Sequence, residues 1–465
     1  MMSYEAVKTD FLDCIKDAGI DLHSFLLIHN NDIVVEHYEY PFHEKFMHRF
    51  YSSTKSFAGM AVVKMVDDGL IKLDDKICDL FKDCFDMTSV HPFLLEQTVR
   101  DSLMMATCYD TQVYSNKDKN WLERYFLGEP SHPSGTLFYY DSAASYLLGA
   151  LVKQVTGKDF LEYLRPVLDE IGFSKDAYCL KGPDEELWAS SGLVATTRDL
   201  AKFANLLLNG GEHNGKQLIS KELVLEAISA QIANFDEGPE SPYSWYKGYG
   251  YQIWIMRDNS FLFNGMGSQF AIGFPERNLV FACNADTQGY PGALIRIFDA
   301  IWNKILPNFP KLNSRYNGLL LEDTLSDKIS GIKYIIDDNK FALKDFVLDI
   351  KQDSGCIIYN KNEMSKKIPF SLSGYKTFYF PEKYNGDVLF SEDHRREYQC
   401  ISTGKWIEKH KLMITVKSID DYIGNLTIVF SFKDDMVAIK MTKNAQFFFD
   451  DYNGFFAGKA EKNKI

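Results

Sequence analysis

The sequence predicts an α+β protein: one antiparallel sheet flanked by helices and interrupted by a large helical insertion, followed by a C-terminal all-β, barrel-like domain. Three observations carry this prediction. Strand patterns stand at both ends of a long helical stretch, so the sheet is completed by segments far apart in the chain. The run Leu306 to Ser314 holds Pro307 and Pro310, which interrupt regular structure. Beyond it, alternating apolar and polar residues separated by turn residues extend to the C-terminus. The chain is thereby divided into 1–312 and 313–465, within the two to three domains that 465 residues suggest.

In order, residues from Tyr4 to Gly19 read as a first helix, and Ser24–His29 and Ile33–Tyr38 flank Asn30-Asn31-Asp32 as a hairpin. A second helix follows Ser52, with Phe57, Met60, Ala61, Val63 and Val66 spaced mostly three and four apart and Gly69 placed for a left-handed stop. Leu70–Ile77 reads as a short connection. From Thr98 to about Ile232 the pattern is largely helical, with starts at Thr98 and Thr196. Strands are expected at Tyr249–Ile255, Ser260–Met266, Gln269–Phe274 and Asn278–Cys283, and a helix from Ala293 to Ile305 closes the unit. In the second domain the clearest strand patterns are 332–336, 346–350, 412–416, 426–432 and 436–441.

A net charge of -13 argues against nucleic acid or an anionic membrane as the main partner. No apolar run is long enough to span a membrane. The N-terminus lacks a basic segment followed by an apolar core, so a cytoplasmic location is expected. Eight cysteines are scattered singly and the histidines show no paired ligand spacing, so no metal, cofactor or disulfide framework is expected.

The chemistry-bearing stretch is Tyr51-Ser52-Ser53-Thr54-Lys55. A serine opening a helix lies beside unpaired backbone N–H groups and the positive end of the helix dipole, which favours negative charge developing there. Lys55, three residues on, shares its face. An amine held in an apolar pocket gives up its proton readily and can accept one from the serine. The bland alternative is an ordinary helix cap. Ser-x-x-Lys also occurs at Ser244/Lys247, Ser330/Lys333, Ser373/Lys376 and Ser402/Lys405. Context singles out the first copy. Downstream, Tyr140-Asp141-Ser142 supplies a phenol that could relay a proton beside Ser52 and Lys55.

These stretches resemble the serine hydrolases of the class C β-lactamase, DD-peptidase and esterase superfamily, over approximately His23 to Ile305. Ser52/Lys55 matches its Ser-x-x-Lys and Tyr140/Ser142 its Tyr-x-Asn or Tyr-x-Ser, in the family's order. Leu147–Gly149 through Gly157, Ser191–Leu200 and Gly250–Trp254 look like familiar flanks. The third motif departs: Lys-Thr-Gly is absent, and Asn264-Gly265-Met266-Gly267-Ser268-Gln269 resembles the strand of the esterase-like and nylon-oligomer-hydrolase branch. Residues 316–465 resemble the lipocalin-like β domains appended to some members.

The resemblance implies an acyl-enzyme on Ser52, with Lys55 and Tyr140 sharing acid and base duties and Ser142 supporting the proton network. It implies an oxyanion hole from the N–H groups of Ser52 and Met266, with Gly265 and Gly267 permitting close approach and Asn264 beside them. The expected partner is a small ester, amide or peptide substrate. Loss of the strand cation moves the expectation from β-lactams and D-amino-acid carboxypeptidase substrates toward esters and small amides. A scaffold that binds a ligand without turnover is the reading from another class. The C-terminal domain is open to three roles: shaping the substrate entrance, forming a homodimer, or stabilising the enzyme.

Overall fold

The computed structural model describes residues 3–234, 246–312, 325–339, 341–383, 397–446, 448–449 and 451–461. Helix α1, Tyr4–Asp17, is capped by Ser3, whose hydroxyl accepts from the Ala6 N–H at 3.2 Å, and buries Val7, Phe11 and Ile15 along one stripe. Strands β1 (Asp21–His29) and β2 (Asp32–Tyr38) form the expected hairpin, with Asn30 and Asn31 at φ 51° and 72°. That left-handed pair suits asparagine and matches the twist of paired strands. Helix α2, Thr54–Asp67, is buried almost all round, from Thr54 to Val63 and at Met65, so it is a core helix rather than an amphipathic surface one. It is followed by Gly69 in the left-handed conformation at φ 72°.

The helical insertion includes α3 (Ser142–Thr156) and α4 (Phe160–Glu170), both packed on α2, and α5 (Thr197–Leu208), which lies on the sheet. Both predicted starts, Thr98 and Thr196, carry reciprocal capping boxes with Asp101 and Asp199. The sheet is completed by β3 (Tyr246–Tyr249), β4 (Trp254–Met256), β5 (Phe261–Gly265), β6 (Gln269–Phe274) and β7 (Leu279–Asp286). Its order is β2-β1-β7-β6-β5-β4-β3, antiparallel throughout, so the N-terminal hairpin pairs with a strand about 250 residues later. One apolar core joins the sheet to α2 and the insertion; another joins its opposite face to α1 and to α6 (Ala293–Ala300).

Two local expectations are corrected. The stretch 249–255 is two strands rather than one, because Gly250-Tyr251-Gln252 turns sharply, with Gln252 at φ 59°. Gln252 drives its amide into the core, donating to the Ser102 and Leu103 carbonyls and accepting from Ser145. The helix expected over 293–305 is α-helical only to Ala300 and continues as a wider turn to Ile305.

The boundary placed after 312 adjoins 313–324, which lies outside the described residues, as does Ser244 of one Ser-x-x-Lys copy. The second unit holds β8 (Lys333–Ile336), β9 (Leu343–Lys351), β10 (Ser354–Lys361), β11 (Met364–Ser371), β12 (Lys376–Lys383), β13 (Glu397–Glu408), β14 (Lys411–Ser418), β15 (Gly424–Lys433), β16 (Met436–Ala445) and β17 (Gly454–Ala460). Nine of these close into a barrel, ordered β11-β10-β9-β8-β17-β16-β15-β14-β13, and β13 meets β11 through the parallel pair Ser371–Thr403. β12 pairs with β13 beside that seam. The interior is filled by side chains such as Phe346, Phe430 and Phe456, leaving a cavity of about 20 Å³, room for about one water.

Candidate active site

Ser52 does not cap α2. It sits in a single 3₁₀ turn, Tyr51–Ser53, and α2 begins at Thr54. Ser53 occupies the cap position but spends its hydroxyl elsewhere, donating to the Gln269 carbonyl at 2.6 Å. The nucleophile candidate is thus released from capping, and the end of β5–β6 is fastened to the same turn. Tyr51, immediately before Ser52, has φ 47°, a conformation that a non-glycine residue adopts only when its surroundings hold it. Arg49 supplies such a hold. Its guanidinium lies 4.6 Å from the Tyr51 ring centroid and 4.5 Å from that of Trp188, while donating to the Ser191 carbonyl at 2.9 Å and hydroxyl at 3.0 Å.

Lys55 is 1 % exposed. Its Nζ donates to Ser52 Oγ at 3.2 Å and to the Ser190 carbonyl at 2.6 Å, and among the described residues it has no ion pair. Burial pushes its ammonium down to about 7, against an opposing pull from Asp141. Tyr140 stands beside the same amine, its ring centroid 5.2 Å from Nζ. Burial raises its phenol to about 12, and a hydrogen bond with Ser52 acts the other way. Trp254 stacks on Tyr140 at 5.1 Å. Ser52, Lys55 and Tyr140, roughly ninety residues apart at the extremes, are therefore brought together.

Ser142 is the first residue of α3, and among the described residues its hydroxyl has no hydrogen-bond partner. The neighbouring Asp141 is the more informative residue. Fully buried, it caps α3 by accepting from the Ala143 N–H at 2.8 Å, and its Oδ2 has no hydrogen-bond partner among the described residues. Burial raises its carboxyl, while the Ala143 and Ala144 amides and Lys55 oppose the rise. Asp141 was legible as a helix-capping carboxylate next to Tyr140. The Ser190 carbonyl carried no signal, since a backbone group leaves no trace in residue type.

The last wall is the β5–β6 turn. Gly265 is required by close approach: a Cβ there would lie 2.2 Å from the Phe50 carbonyl oxygen. Gly267 and Ser268 have φ 74° and 68°. The turn is braced by a buried polar chain in which Thr197 donates to Asn284 at 2.6 Å, Asn284 to Gln269 at 2.7 Å, and Gln269 to the Gly267 carbonyl at 3.0 Å. Asn264, Gly265, Met266 and Gly267 line an open cleft of about 330 Å³ together with Ser52, Tyr140, Trp254 and Thr287. Met266 is half exposed at its surface. No charged side chain lines the cleft among the described residues. No group of three or more metal-ligating side chains occurs among them either. The other Ser-x-x-Lys copies differ: Ser330 bonds the Ile350 backbone, and Ser402 the Pro369 carbonyl.

A profile of the Beta-lactamase family matches residues 16–302, more than half of the chain and all of the site. The chain belongs to the beta-lactamase family. Among its relatives, the 6-aminohexanoate-dimer hydrolase of Paenarthrobacter ureafaciens is 25 % identical over 244 residues, a match covering 48 % of this chain and 62 % of that hydrolase. Among solved structures, a putative 6-aminohexanoate-dimer hydrolase from Bacillus anthracis has a TM-score of 0.54 at 22 % identity, over 64 % of this chain and 83 % of the other. The octameric penicillin-binding protein homologue from Pyrococcus abyssi has a TM-score of 0.51 at 17 % identity over 98 % and 100 %. These likenesses support the beta-lactamase family fold for the first unit, and the last extends across the barrel as well.

Proposed function

We propose that this member of the beta-lactamase family is a metal-free serine hydrolase of esters or small amides that works through an acyl-enzyme on Ser52. The observation that carries the reading is the buried Lys55 amine, bonded to Ser52 Oγ and to a neutral carbonyl. No carboxylate is hydrogen-bonded to the amine, and burial outweighs the opposing pull of Asp141, so the neutral amine is favoured near neutral pH. Neutral Lys55 then accepts the Ser52 proton as Oγ attacks the carbonyl carbon. Tyr140, hydrogen-bonded to Ser52, passes its proton to the leaving alcohol or amine and takes back the one that Lys55 received from Ser52, so both residues end the step as they began it. The N–H groups of Ser52 and Met266 receive the developing oxyanion, each such donor being worth on the order of 3 kcal/mol. Water admitted from the open cleft releases the acyl group, and the proton returns through the same residues.

The amide side of the proposal draws on the name of the Paenarthrobacter relative, a dimer hydrolase. That name supports the bond cleaved and not the charge of the substrate: among the described residues the cleft lining holds no cation to pair a substrate carboxylate, which favours neutral esters and amides. The test is covalent labelling with a fluorophosphonate, with the modified peptide identified by mass spectrometry. Labelling of Ser52 in the wild type and its loss in Ser52→Ala are expected. Persistent labelling in Ser52→Ala, or an unreactive wild type, would overturn the reading.

A further inference from the structure

The eight residues before Tyr140 form no helix or strand, yet they are buried at His132, Pro133, Ser134, Thr136, Leu137 and Phe138. An irregular segment in such a place needs partners for its backbone, since a buried carbonyl left without one is destabilising. From the hydrolase side the partners are few and specific. Gly135 N–H donates to the Ala106 carbonyl at 2.7 Å, and Tyr139 N–H to the Met105 carbonyl at 3.0 Å.

His132 N–H donates to the Cys108 carbonyl at 3.4 Å, and Thr136 Oγ1 to the Pro133 carbonyl at 2.5 Å. Further partners come from the barrel. Ser431 Oγ, on β15, donates to the Thr136 carbonyl at 2.9 Å, and Lys433 Nζ, from the same strand, donates to the Ser134 carbonyl at 2.8 Å. Leu137 forms a small separate apolar cluster with Val429 of β15 and Ala438 of β16. His132 stacks on Phe455 of β17 with centroids 5.3 Å apart, and Tyr139 meets the same ring edge-on at 6.1 Å. Five barrel residues thus converge on residues 132–139, whose next residues are Tyr140 and the α3 cap Asp141.

We infer that the barrel's outer face is a working part of the active site: through Ser431, Lys433 and the Val429–Ala438 patch it fixes the 132–139 segment and thereby positions the Tyr140 phenol against Ser52 and Lys55. The inference rests on the reading of Ser52 and Tyr140 given above. It assigns the C-terminal domain a role in chemistry through its surface. Ser431 and Lys433 are positioning residues, since they act through the backbone of the segment and touch neither nucleophile nor base. Displacement of a proton-transferring group by about 1 Å is enough to lower turnover on the order of 100-fold.

The experiment uses the full-length chain. The double variant Ser431→Ala/Lys433→Met, the conservative Lys433→Arg, and Glu408→Ala as comparison are assayed with a p-nitrophenyl ester and with fluorophosphonate labelling of Ser52. Glu408 accepts from the Ala233 N–H at 2.5 Å, so it is a barrel contact that does not touch 132–139. We expect kcat of the double variant to fall about 10- to 100-fold at unchanged KM, with Ser52 labelling slowed in parallel, near-wild-type kcat in Lys433→Arg, and a change below threefold in Glu408→Ala. A double variant that folds and labels at the wild-type rate would overturn the inference, as would an equal fall in Glu408→Ala. Failure of the wild type itself to label at Ser52 would instead sink the serine-hydrolase reading, so the two are told apart.

Discussion

Lys55 in the hydrolase core and Lys361 in the barrel are both buried, under opposite conditions. Lys361, 2 % exposed, donates to Glu382 at 2.7 Å and Asp451 at 2.8 Å, and Lys366 reaches the same Glu382 at 2.6 Å. Burial would raise the Glu382 carboxyl, but hydrogen bonds from Lys361, Lys366 and Tyr452 outweigh it and hold the group ionised. Lys55 has a hydroxyl and a carbonyl in place of carboxylates, and burial draws its ammonium down to about 7. The difference teaches how one residue type serves two ends. A buried lysine with carboxylate partners is a fixed charge that ties strands together, whereas one hydrogen-bonded to a hydroxyl and a carbonyl is suited to the proton acceptance proposed for Lys55. The same contrast separates the two interiors, an open cleft of about 330 Å³ over Ser52 and a barrel filled to about 20 Å³.

The comparison is broken most severely by exchanging each lysine for methionine. Lys55→Met is expected to lower kcat/KM by about 10⁴-fold or more. Its stability at pH 7 should be unchanged or higher, because the native pKa lies below that of the unfolded chain. The unfolded state therefore binds more protons between about pH 7 and 10.5, so the cost of the wild-type lysine to folding is full below about pH 7 and fades as pH rises through that window. Lys361→Met should do the reverse, costing about 2 kcal/mol in urea unfolding by removing one of the three donors that hold Glu382 and the contact with Asp451, while leaving kcat of the folded protein within threefold. A loss of activity in Lys361→Met, or marked destabilisation in Lys55→Met, would erase the distinction.

A smaller effect is expected where Arg49 joins the two segments flanking Lys55. Arg49→Gln removes the fork that binds Ser191 and stacks on Tyr51, whose φ of 47° needs support. We expect about a tenfold fall in kcat at little-changed KM, with steady-state kinetics as the check. The smallest change is expected in Asp141→Asn, which keeps the cap on Ala143 but removes the carboxylate. That carboxylate favours the charged form of Lys55, so without it the acid limb of kcat/KM should move to lower pH. A shift to higher pH would show that Asp141 acts otherwise.

Much of this arrangement was legible in the sequence, for identifiable reasons. Gly69, the Asn30-Asn31 turn and the capping-box starts at Thr98 and Thr196 are set by local chemistry, and they appear where expected. Ser52, Lys55 and Tyr140, which the structure brings together, were singled out because their order along the chain distinguishes the first Ser-x-x-Lys from four other copies. What failed was decided by tertiary contacts. Ser52 reads as a helix cap until Ser53 is seen bonded to Gln269, and 249–255 reads as one strand until Gln252 is seen anchored in the core. In the barrel, β10 to β13 and β17 were missed because lysine, glycine and Pro369 break their apolar alternation, which closure of the barrel tolerates.

The central claim is that Lys55 is the proton acceptor for Ser52 and that its burial sets when it can act. The most direct test is the rate of Ser52 acylation by a fluorophosphonate, followed from pH 5 to pH 10, since the reagent itself does not titrate there. The account predicts a rate that rises with pH through a single inflection near 7 and then levels. A rate independent of pH across that range, or one still climbing toward an ordinary lysine near 10.5, would contradict it.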